Sequence, residues 1–147
     1  MSFKSIRTFF ESRLSEVSPD FQRVDSPFDT ESVPLNNYDK RFHIFYGELT
    51  PSVANQNVTS DTCTATVILY FEGCRDDVAK LDDAWDMANK FRLICMKPKH
   101  LTGSKFIKRI FANSVVAQPL PSNDNLVKIT LRFSITAMFG TEDNFEC

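Results

Sequence analysis

One stretch, Thr62 to Met96, restricts the possible folds more than any other: a strand, a break at Gly73, then a long helix. Thr62–Glu72 alternates residue by residue. Cys63, Ala65, Val67, Leu69 and Phe71 fall on one face, and Thr62, Thr64, Thr66, Ile68 and Tyr70 on the other. That is the period of a pleated strand, whose surface suits β-branched and aromatic side chains. From Asp76 the period lengthens. Val78, Leu81, Trp85, Ala88, Phe91 and Cys95 recur every three or four residues, and Ala84, Met87 and Ile94 widen the stripe. This predicts a helix over Arg75–Met96 that lies on a sheet, with Trp85 in the middle of the apolar stripe. Asp76, Asp77, Asp82 and Asp83 stand towards its start and Lys90, Arg92 and Lys97 at its end, in keeping with the helix dipole, and Pro98 stops it.

Elements of both kinds flank this unit. Phe3, Ile6, Phe9 or Phe10, Leu14 and Val17 share one side of a first helix, Phe3–Val17, which Ser2 can cap and Ser18-Pro19 ends. Asp20–Tyr38 is irregular, with Pro27, Pro34 and Asn36-Asn37, and holds at most a short strand at Phe21–Val24. Lys40–Leu49 alternates, with Phe42, Ile44 and Tyr46 opposite Arg41, His43 and Phe45. Thr50–Asp61 is a long polar loop joining two antiparallel strands. After the basic loop Lys97–Lys105, Phe106–Ala117 and Leu126–Phe139 form a long hairpin across the turn-rich Pro119–Asn125. Thr141–Cys147 is a short acidic tail.

The expected fold is therefore α+β: an antiparallel or mixed sheet of four or more strands, packed by two amphipathic helices, in a single domain over residues 1–147. The second sheet face is also partly apolar, through Ile68, Tyr70, Phe106 and Ile110. In a lone chain that surface would be open, so association is expected.

Charge is uneven. The net charge is −2. Between Asp86 and Asp124 there is no acid but seven bases, Lys90, Arg92, Lys97, Lys99, Lys105, Lys108 and Arg109, which leaves −9 on the rest. Such asymmetry marks complementary faces or a contact surface.

Chemistry is hard to find. The two histidines, His43 and His100, sit in different elements with no ligand spacing, so no metal or other cofactor is expected. No nucleophile elbow occurs. Asp76, Asp77, Asp82, Asp83 and Asp86 read as a solvated helix face rather than a catalytic pair. Gly47, Gly73, Gly103 and Gly140 are isolated and build no phosphate loop. The four cysteines show no paired spacing, and Cys63 and Cys95 fall on core faces. No apolar run reaches the roughly 18–20 residues of a membrane span, and the first residues do not form a signal peptide. A pI near 5.7 argues against a dedicated nucleic-acid binder. The chain reads as a non-enzyme.

The order of elements resembles the tail terminator, or tail completion, proteins of long-tailed phages. The likeness runs through the helix Ile6–Leu14, the aromatic strand Phe42-His43-Ile44-Phe45-Tyr46, the long polar loop, the strand Ala65–Phe71, the second helix, and the final hairpin of Ile107–Val116 and Val127–Phe139. It implies a structural virion protein of the tail or neck, assembled in the host cytoplasm. Such a protein forms a ring, a hexamer in the family, that ends tail-tube polymerisation. Its partners would be copies of itself, the major tail tube protein and the head–neck connector or stopper, without membrane or sequence-specific nucleic acid. Val53, Asn55 and Asn57 in the polar loop, and Lys97, Lys99 and Lys105 in the basic loop, are the candidate contact residues. Alternatives are a head–tail stopper or tube subunit, a small polynucleotide- or ligand-binding α+β domain, and an enzyme with a Cys–His or carboxylate site brought together in space.

Overall fold

The computed structural model describes residues 3–23, 39–50, 61–73, 77–97, 107–120 and 123–137. The chain runs α1 (Phe3–Val17), β1 (Gln22–Arg23), β2 (Arg41–Thr50), β3 (Asp61–Glu72), α2 (Val78–Cys95), β4 (Ile107–Leu120) and β5 (Asn123–Ala137). The strands form one sheet in the order β1-β2-β3-β5-β4. β1 runs parallel to β2 and every other pairing is antiparallel, so the sheet is mixed and the fold α+β.

The two most regularly alternating segments, β3 and β5, become the central pair. Their ladder runs without a shift from Asp61↔Ala137 to Glu72↔Leu126. On one face Cys63, Ala65, Val67, Leu69 and Phe71 meet Ile135, Phe133, Leu131, Ile129 and Val127, and all ten are buried. Both helices cover this face. Ile6, Phe10 and Leu14 of α1 join Ala84, Ala88, Phe91 and Cys95 of α2 in the same core. Phe10 sits between Phe91 and Phe133, with ring centroids 6.1 and 5.2 Å away. Aromatic rings span the gap between helix and sheet with few residues, which suits a chain with fourteen Phe.

Besides the turn, where Pro119, Leu120 and Asn123–Asn125 belong to β4 and β5 rather than to the loop, three expectations need correcting. The first is the phase of α2. The buried positions are Ala84, Ala88, Phe91, Ile94 and Cys95, whereas Trp85 is 36% exposed and Val78 73%. Each residue turns a helix by about 100°, so Trp85 falls one step round from the Ala84 line. The helix also starts later than its period suggests. The Asp77 carboxylate accepts the Lys80 N–H at 3.2 Å and fixes the start.

The second concerns the far face of the sheet. Ile68 and Tyr70 are only 1% and 2% exposed in the single chain, packed with Phe45 and Leu126 in a small second core. The open apolar surface expected there does not exist at those two residues. The third concerns Ile110. It pairs with Ile135 and belongs to the helix-covered core, because register shifts between Ile107 and Arg109 reset the alternation of β4. Phe106 lies outside the described residues.

Candidate assembly surfaces

The two ends of the sheet are built differently. β4 is an edge strand of fourteen residues, paired on one side with β5. It carries three register shifts, and Pro119 sits near its end, where an edge strand tolerates a missing donor. At the other end, β1 covers only Arg41 and Phe42 of β2. Among the described residues, β2 has no strand partner on that side from His43 to Thr50. Among the described residues, the sheet thus presents two unlike open edges.

Among the described residues, the bases do not form one patch. Lys90 is exposed on α2 and Lys97 just past its end, on the helix side of the sheet. Arg92 is held along the helix by two bonds to Asn89 Oδ1, at 3.1 and 2.7 Å. Arg109 is on the opposite face, stacked over Phe111 at 4.0 Å from the ring centroid. Phe111 is itself exposed, a stacked cation–aromatic pair at the start of the edge strand. Of the six candidate contact residues, only Lys97 lies among the described residues; it is exposed and its N–H bonds Ile94 O at 3.2 Å. Val53, Asn55, Asn57, Lys99 and Lys105 lie outside them, as do the tail 141–147, Ser2 and His100.

Asp82, Asp83 and Asp86 are exposed on α2. His43 is buried beside Phe45, with ring centroids 5.3 Å apart. Cys63 and Cys95 are buried free thiols, and burial raises both thiols above their ordinary range, Cys95 strongly. A thiol held protonated is a poor nucleophile. Among the described residues, no group of three His, Cys, Asp or Glu is arranged to hold a metal ion. No described helix is long and apolar enough to cross a membrane.

Two surface hollows carry mixed charge. One is lined by Glu11, Ser15, Phe21, Arg23 and Phe42, and an Arg23–Glu11 ion pair of 3.5 Å spans it. The other is lined by Asp39, Lys40, Glu72, Lys80 and Asp83 with Phe71 behind them. Neither gathers one sign of charge for a ligand. Sequence reasoning missed the open edges, which only strand order reveals, and the outward turn of Trp85. The signal for the latter was present: Asp82, Asp86 and Asn89 surround Trp85 at helical spacing.

No family model matches the chain, and no curated protein does. Among solved structures it is similar to a chain of the virion of a native gene transfer agent particle. The identity is 9%, the alignment covers 87% of this chain and 90% of that one, and the TM-score is 0.48.

Proposed function

We propose that this protein is a structural component of a phage-type virion, a tail terminator whose copies close into a ring, end growth of the tail tube and join it to the neck. The sheet with two unlike open edges carries the reading. β4 of one copy can meet the uncovered side of β2 on the next, a head-to-tail contact that closes by rotation. The order of elements, which resembles the terminator family along nearly the whole chain, supplies the identity of the ring. The exposed Arg109–Phe111 pair and Lys97 offer contacts to the neighbour, the tube or the neck.

Electron microscopy of the purified protein tests this. Closed rings of fixed copy number are expected, and tube protein polymerised in their presence should give tubes capped at one end. Open-ended growth by the protein itself would make it a tube subunit instead. Reversing charge at Lys97, Lys99 and Lys105 together should impair ring formation or tail joining; normal assembly would remove those lysines from the contact.

A further inference from the structure

The outer face of α2 carries exposed apolar side chains away from both sheet edges. Trp85 is 36% exposed and Leu93 46%, although both are large apolar groups on a helix whose inner face is fully packed. They stand four residues either side of Asn89, which is also exposed. The charges around them are sorted by sign along the axis. Asp82 and Asp86 precede Asn89, and Lys90 and Lys97 follow it, all four exposed.

We infer that this face binds a second copy of the same chain, helix against antiparallel helix, about a two-fold axis through Asn89. Reversal of direction is what the charge order demands. A parallel neighbour would set acid against acid and base against base. An antiparallel one brings Asp82 beside Lys97 and Asp86 beside Lys90 of the second copy, and each pair is made twice by symmetry. At about 100° per residue, Asp82, Asp86 and Lys90 fall on the same flank of the seam, and Lys97 follows just past the helix end at Met96. Trp85 falls on the other flank, near the second copy's Arg92, and Leu93 points between Asp82 and Asp86. The contact is isologous, whereas the ring contact joins unlike surfaces. It touches neither sheet edge; Lys97 is shared with the proposed ring contact, so the Asp82→Lys/Asp86→Lys variant, which leaves Lys97 in place, separates this reading from the ring.

Its strength follows from its size. Two helices of this length bury less than the roughly 1,200–2,000 Å² of a standard stable interface. Single copies therefore pair weakly. Copies already joined in a ring would pair far more tightly, because several contacts form together. Two rings would then meet back to back through their helical layers.

The experiment uses two variants of the full chain, Asp82→Lys/Asp86→Lys and Lys90→Glu/Lys97→Glu. Each makes the seam like-charged. Sedimentation velocity should show two-fold association of the wild type weakened about tenfold or more in either variant. An equimolar mixture should associate at least as tightly as the wild type, since every pair across the seam is again opposite. A mixture no tighter than its components overturns the inference, and so do variants that associate as the wild type does. A second measurement leaves the charges alone. Facing residues on antiparallel helices come within disulfide reach at the two-fold axis. Asn89→Cys should therefore oxidise to an 89–89 bridge, mapped by mass spectrometry, much faster than Asp83→Cys, which is exposed but six residues from the two-fold axis, so that its two copies stand about 18 Å apart. Equal rates overturn the inference.

Discussion

Trp85 and Phe91 are two large aromatic residues six positions apart on one helix, and the structure gives them opposite roles. Phe91 is fully buried against Phe10 and Phe133, while Trp85 faces out. Phe91→Ala should cost about 3–5 kcal/mol, the price of a cavity with no neighbour free to fill it. Trp85→Ala should cost less, about 1–2 kcal/mol, because only part of its ring is covered. Urea unfolding of both variants measures the difference, and equal losses would mean the helix is turned the other way. A second residue-scale effect concerns pH. Burial raises the Tyr46 hydroxyl, whose O–H donates to Phe3 O at 2.6 Å, and it raises the Cys63 and Cys95 thiols. All three are neutral when protonated, and the unfolded chain releases those protons at lower pH than the folded one. Stability is then complete below about pH 8.5 and falls as pH climbs through the thiol and then the phenol range. The melting temperature should drop steadily above that point. Cys63→Ala/Cys95→Ala should remove the first part of the fall, and Tyr46→Phe the part near pH 10. A melting temperature that stays level to pH 11 would contradict the assignment.

The joint between β3 and α2 decides whether the second helix reaches the sheet at the right angle. Gly73 has φ +78°, a conformation that costs a residue with a side chain about 1–2 kcal/mol. Four residues on, Asp77 caps α2. Gly73→Ala should lower stability by about 1–2 kcal/mol, Gly73→Asn by less, and Asp77→Ala by about 1 kcal/mol. Thermal unfolding measures all three, and a Gly73→Asn loss larger than that of Gly73→Ala would show that the backbone is not the cause. The Gly73 break was legible from the sequence, as were α1, the period of β3 and β5, and the β4–β5 hairpin. Each rests on local chemistry: alternation, capping and turn residues. What was not legible is non-local. Nothing in β3 says that β5 will be its second neighbour, or that β1 covers only the start of β2. The periodicity of α2 admitted two stripes one residue apart. The tertiary core chose the one through Ala84 and Ala88, where small side chains let the helix approach the sheet closely. The candidate contact residues were chosen by composition and charge, and of those only Lys97 gains a described position, on the outer end of α2.

At the scale of the whole molecule, burial and openness are unevenly distributed. The helix side is packed, and the far face closes over Ile68 and Tyr70, so the single chain holds a complete core. Among the described residues, what it leaves unpaired is strand backbone: β4 along one side, and β2 beyond Phe42. An exposed edge of this length tends to pair with something, and bulges and Pro119 restrict rather than prevent it. A protein whose core is complete but whose edges are not should fold alone and gain stability on assembly, not require assembly to fold. That distinction can be measured. Binding that favours the folded state adds about RT ln(1 + [L]/Kd), close to 1.4 kcal/mol for each tenfold rise in concentration above the dissociation constant. For a chain of this size that raises the melting temperature by roughly 3–6 °C per tenfold. At high dilution a cooperative transition should persist, because the monomer is folded. The Asp82→Lys/Asp86→Lys variant should keep most of the concentration dependence, since the sheet edges are untouched. A melting temperature independent of concentration from nanomolar to high micromolar would mean that the edges do not meet, and loss of the transition on dilution would mean that the core described here is not sufficient without a neighbour.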